Sequence, residues 1–70
     1  MSAIRVQLNG KEREVPAGLT VQGLLENLGL EPRMVVVERN REILQRARYA
    51  EVNVGEGDAL ELVHFVGGGA

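Results

Sequence analysis

The chain has 70 residues, no cysteine, eight basic and ten acidic residues, and a formal charge of −2. That length holds one domain at most, burying only about 60 % of its unfolded surface, and with neither a disulfide nor a thiolate metal site available the core must be aliphatic. A balanced, slightly acidic charge and only two aromatic residues, Tyr49 and Phe65, argue against nucleic-acid binding, which needs cations for phosphates and rings for bases.

The opening MSAIRVQLNG has no long apolar core, so neither a signal peptide nor a membrane span is expected. A cytoplasmic protein that engages no membrane is the default. Ile4, Val6 and Leu8 alternate with Arg5 and Gln7, the period of a strand with one buried face. Asn9-Gly10 is a hairpin signal, because both residues tolerate positive φ. Arg13 to Val15 returns as the second strand, ended by Pro16, which has no N–H to give a ladder. Thr20 is a good helix N-cap. Val21, Leu24, Leu25 and Leu28 then form one apolar stripe, and Gly29 sits where a C-terminal cap glycine belongs. Gly23 is a defect inside that helix, worth roughly 1 kcal/mol against Ala, and close packing against the sheet is the expected reason. Pro32 closes the following loop. Met34 to Val37 is a β-prone run, Glu38 to Arg41 a polar turn, and Ile43-Leu44 a short strand. Arg46 to Glu51 carries mixed signals and admits a helical turn around Tyr49. Gly55 to Asp58 is a turn, and Ala59 to Val66 is the last strand.

One helix against a small mixed sheet is an α+β arrangement. A hairpin, then a helix, then further strands is the order of the ubiquitin-like β-grasp. The expected organisation is a β-grasp domain over residues 1–66 and a flexible glycine-rich tail over 67–70.

Catalytic groups are scarce. Besides Tyr49, the hydroxyls are Ser2, near the terminus, and Thr20, explained as a cap; Lys11 is the single lysine and His64 the single histidine. Nucleophile–base constellations lack their members. No metal site is expected from one histidine and scattered carboxylates. His64 reads either as a proton carrier or ligand, or as a half-exposed strand residue near an edge; with no partner visible, the second is favoured. Arg33, Arg39, Arg41, Arg46 and Arg48 read either as a docking patch for an acidic partner or as a solvated edge interleaved with Glu38, Glu42 and Glu51, and again the second is favoured. The three glycines are no phosphate loop, because no helix follows them.

Along the last strand, Leu60 and Leu62 point one way, toward the helix, while Glu61, Val63 and Phe65 point the other. Val63 and Phe65 form an apolar patch leading to the tail. Either a neighbouring loop covers Phe65 or the patch docks a protein, the usual meaning of contiguous exposed apolar surface. Gly67, Gly68 and Gly69 have no side chains. Four extended residues reach about 13 Å, enough to present a terminal carboxylate inside a narrow channel of another protein.

Three stretches, LNGKEREVPAGLTVQGLLENLGL, VVVERNREIL and GDALELVHFVGGG, together resemble the ubiquitin-like sulfur carriers, most nearly those of thiamin biosynthesis. The resemblance spans almost the whole chain, and VHFVGGG is its most specific part. It implies a carrier rather than an enzyme, with no cofactor bound. A ThiF-like adenylating enzyme uses ATP to convert the terminal glycine carboxylate to an acyl-adenylate. Sulfur from a persulfide donor, delivered by a sulfurtransferase or cysteine desulfurase, replaces AMP. The thiocarboxylate then serves thiazole synthase. By position, Gly69 would carry the adenylate and the sulfur, with Gly67 and Gly68 in the tail. Val63 and Phe65 would dock the partners.

Ala70 departs from the pattern, since such carriers end on glycine. It is either removed by a peptidase, a cloning remnant, or the mark of a carrier that is inactive or tolerates alanine. Alternatives to the thiamin carrier are the small subunit of molybdopterin synthase, a carrier for another metabolite or a protein tag, and, in a different class, a β-grasp interaction module with an inert tail.

Overall fold

The computed structural model describes residues 2–65; Met1 and residues 66–70, among them Gly67, Gly68, Gly69 and Ala70, lie outside the described residues. Five strands and one helix follow in order: β1 (Ala3–Leu8), β2 (Lys11–Pro16), α1 (Val21–Asn27), β3 (Val35–Arg39), β4 (Glu42–Leu44) and β5 (Ala59–His64). Short 3₁₀ turns at Pro32–Met34 and Arg46–Arg48 precede β3 and follow β4. The sheet order is β2-β1-β5-β3-β4, a ubiquitin-like β-grasp. β1 and β5 are parallel neighbours and every other pairing is antiparallel.

The first hairpin forms as its turn residues dictate. Asn9 and Gly10 both have positive φ, 51° and 82°, the geometry that matches the twist of two antiparallel strands. The second hairpin uses the same geometry without a glycine: Asn40 has φ 51° and Arg41 φ 73°. The turn is therefore two residues, not four, and Glu38 and Arg39 belong to β3. Met34 ends the 3₁₀ turn started by Pro32 rather than opening the strand.

In α1, the Thr20 hydroxyl accepts from the Gly23 N–H at 3.0 Å, and Gly29 has φ +79° just past the helix. Gly23 does not lie against the sheet. A β-carbon there would meet Leu19 and the Thr20 hydroxyl at 3.4 Å, so the close neighbour is the entry loop of its own helix. Val21, Leu24 and Leu25 pack with Val6, Val15, Val35, Val37, Tyr49, Val54 and Leu60, while Leu28 and Leu62 border this cluster.

Tyr49, 2 % exposed, is part of that core. The β4 ladder ends where Leu44 meets Val37. Beyond it the Tyr49 hydroxyl takes over, donating to the Val35 carbonyl at 2.8 Å and accepting from the Val37 N–H at 3.2 Å. Its own carbonyl accepts from the Gln22 N–H, one of the donors at the start of α1 that has no partner within the helix.

Candidate functional site

β5 lies at the centre of the sheet, between β1 and β3. The strand that leads to the glycines is therefore held on both sides. On one flank the Leu62 N–H donates to the Asn9 side-chain oxygen at 2.7 Å. On the other the Ala59 N–H donates to the Asn40 side-chain oxygen at 3.0 Å. The two turn asparagines thus do more than accept positive φ; each extends its hairpin's grip on β5. Pairing with β3 continues past the last strand residue, since the Phe65 N–H donates to the Met34 carbonyl at 2.7 Å.

This placement settles the two faces. Leu60 is buried and Leu62 packs against the core, whereas Glu61, Val63 and Phe65 are exposed. Val63 and Phe65 retain 55 % and 51 % of their surface, so no loop among the described residues covers Phe65. Register adds residues that periodicity did not bring to this face. Val36 lies opposite Val63, and Glu38 lies opposite Glu61 on one side and Ile43 on the other. Ile43, 66 % exposed, is the most exposed of the large apolar side chains described. Gly67, Gly68 and Gly69 follow this face in sequence but lie outside the described residues.

His64 is exposed, yet it ends the central strand and pairs with Val35, so it is not an edge residue. The arginines form neither a single patch nor a merely solvated edge. Arg39 turns to the buried side and meets Asp58 at 3.1 Å. Arg46 reaches the Pro32 and Val35 carbonyls and lies 6.0 Å from the Tyr49 ring centre. Arg48 pairs with Glu51 at 3.4 Å on the surface.

Sequence reasoning passed over Asp58, which is 8 % exposed. Its carboxylate accepts from the Gly55 N–H at 2.8 Å, from Arg39 at 3.1 Å and from the Asn40 amide at 3.3 Å. Burial alone would push its pKa up, but the Gly55 N–H, the Asn40 amide and the Arg39 guanidinium outweigh it and hold the carboxyl below its ordinary value. The cluster ties the β5 entry to the second hairpin and is structural.

Among the described residues no group of three or more His, Cys, Asp or Glu is placed to hold a metal ion, and no helix is long and apolar enough to cross a membrane. A groove of about 450 Å³ lined by Leu8, Asn9, Lys11, Arg13, Leu28, Leu30 and Leu62 opens on the helix side of the sheet and includes neither Val63 nor Phe65. The apolar face that carries Val63 and Phe65 is an open surface, suited to a macromolecule rather than an enclosed small molecule.

The chain is similar to known proteins in both sequence and fold. Residues 6–69 match the ThiS family. The chain is 48 % identical over 67 residues to a thiazole synthase of Paramagnetospirillum magneticum, a match covering 96 % of this chain and 21 % of that protein. It is 44 % identical over 66 residues to a thiazole synthase of Magnetococcus marinus, covering 94 % and 20 %. The chain thus spans about a fifth of the length of those two relatives. To the sulfur carrier protein ThiS of Bacillus subtilis it is 48 % identical over 65 residues, covering 91 % of this chain and 98 % of that one. The crystal structure of a thiamine biosynthesis protein, ThiS, from Geobacter metallireducens matches with a TM-score of 0.79 at 36 % identity, over 94 % of this chain and 100 % of that chain. A solution structure of a thiamine biosynthesis protein from the same organism gives 0.77 at 36 % identity, over 96 % and 90 %.

Proposed function

The chain belongs to the ThiS family of sulfur carriers in thiamin biosynthesis, and from that premise we propose that Gly69 carries the sulfur as a C-terminal thiocarboxylate destined for the thiazole ring. The observation that carries this reading is that the family match runs through residue 69 and so takes in the whole Gly67-Gly68-Gly69 run.

The chemistry follows from what the chain lacks and what it keeps. A carboxylate is a poor electrophile, and a ThiF-like adenylating enzyme with ATP makes its carbonyl reactive by attaching AMP, a good leaving group. The outer sulfur of a persulfide held by a sulfurtransferase or cysteine desulfurase then attacks that carbonyl and expels AMP, and a second thiol opens the resulting acyl disulfide, leaving the thiocarboxylate on the carrier and a disulfide on the donor. With no cysteine in the chain, the terminal carbonyl is the place for sulfur to ride. The chain brings no catalytic constellation of its own, so it acts as the substrate of its partners, with ATP and persulfide used through them. Val63 and Phe65, half-exposed and shortly before the glycines in sequence, dock those partners. Thiazole synthase is the recipient; the two synthases of which this chain matches about a fifth support that pairing.

Gly69 is followed by Ala70 in the sequence. Loading at Gly69 needs a free carboxylate there, so the Gly69–Ala70 bond is opened first. The test is to incubate the full chain and a chain ending at Gly69 with the adenylating enzyme, ATP and a sulfide source, and to read intact mass. The chain ending at Gly69 should gain the difference between one sulfur and one oxygen. No gain by either chain overturns the carrier reading and favours an interaction module.

A further inference from the structure

The exposed face of the sheet contains an arrangement that the fold alone does not explain. Glu38 of β3 stands directly opposite Glu61 of β5. Like charges placed opposite one another on neighbouring strands destabilise the ladder. Among the described residues neither carboxylate joins an ion pair; the pairs present are Arg5–Glu12, Arg39–Asp58 and Arg48–Glu51. Arg39, next to Glu38 in sequence, points to the opposite side of the sheet, where it meets Asp58. The two acids are not isolated on a polar surface either. Ile43 flanks Glu38 across the strand, and the Val36–Val63 pair forms the adjacent row, with Phe65 beyond it. The free protein thus sets two like-charged residues opposite one another inside its exposed apolar patch.

We propose that this face seats on thiazole synthase through an apolar surface carrying one arginine, whose guanidinium lies between Glu38 and Glu61 while Ile43, Val63 and Phe65 cover its surroundings. This rests on thiazole synthase being the partner. Cross-strand β-carbons lie about 5 Å apart, so one planar guanidinium can donate to a carboxylate on each side. Its fixed fork and weak hydration suit it to that position better than a lysine ammonium. The apolar border removes water from the contact, which strengthens the charge-assisted bonds. Binding places a cation between two like-charged residues, so part of the affinity comes from offsetting their juxtaposition.

Glu38→Gln, Glu61→Gln and the double variant, titrated calorimetrically into separately produced thiazole synthase at low and high salt, test this. Each single variant should bind about tenfold more weakly, and the double variant should lose most of the salt dependence. The free single variants should melt no lower than the parent, and by relief of repulsion a degree or two higher. Unchanged affinity in all three variants overturns the proposal and leaves the partner assignment standing. No binding by the parent overturns both. A marked fall in melting temperature overturns it too, since the acids would then be structural. Sulfur loading at Gly69, read by mass, reports on the carrier assignment independently.

Discussion

Asp58 shows how a single side chain can hold a junction together. Three donors from two points in the sequence, Gly55 and the neighbouring pair Arg39 and Asn40, converge on one nearly buried carboxylate. In sequence it ends a turn of the form Gly-Glu-Gly-Asp, and nothing in that pattern separates it from an ordinary solvated aspartate. The signal is long-range, because Arg39 and Asn40 arrive only when β3 turns into β4. Asp58→Asn should lower stability by roughly 1–3 kcal/mol at neutral pH, since it removes charge-assisted bonds and leaves Arg39 partly buried without its anion. The pH dependence has a definite sign. The folded-state pKa lies below the unfolded value, so the unfolded chain takes up the proton first. The stabilisation is complete above the unfolded value, about 4, and is lost as pH falls through the folded value. Urea midpoints of parent and Asp58→Asn should therefore converge as the solution is made more acidic than that. A gap that stays constant would show that the carboxylate's charge contributes nothing.

The two hairpins make a controlled comparison at the scale of the element. Both turns begin with asparagine at φ 51°, but the second residue is Gly10 in one and Arg41 in the other. Glycine occupies that left-handed region freely, whereas a residue with a β-carbon is strained there by roughly 1 kcal/mol. Arg41→Gly should raise stability by about that amount, with the urea midpoint moving upward at constant slope. A loss of stability would mean that the arginine side chain makes a compensating contact. The same contrast explains what could be read in advance. Asn9-Gly10 announced its turn, and the Thr20 cap, the four-residue apolar stripe and Gly29 announced α1, because each is local chemistry. Asn40-Arg41 has no glycine to mark it, so the turn spread over four residues in the sequence reading and took Glu38 and Arg39 out of β3. Met34 was drawn into the strand by its β-prone neighbours, although Pro32 starts a 3₁₀ turn that ends on it.

For the molecule as a whole, strand order was legible along the chain but strand neighbours were not. Placing β5 between β1 and β3 needs a parallel pairing that no local pattern encodes. The candidate face was legible for the same reason only in part. Val63 and Phe65 follow from alternation within one strand, whereas Val36, Glu38 and Ile43 join them through cross-strand register. Among the described residues, every member of the core cluster and every apolar residue bordering it lies at or before Leu62. The last anchoring hydrogen bond described is from the Phe65 N–H to the Met34 carbonyl, upstream of the glycines. Deleting Gly68 and Gly69 should therefore leave the thermal midpoint within about a degree of the parent, as expected for a change of no more than a few tenths of a kcal/mol. The same deletion, made in the chain ending at Gly69, should abolish sulfur loading, because it removes the carbonyl that the adenylating enzyme activates and shortens the reach to it by roughly 7 Å. Calorimetry and intact mass on one sample check both halves together. A melting temperature several degrees lower would make the glycines part of the fold, and undiminished loading would move the reactive carbonyl away from Gly69.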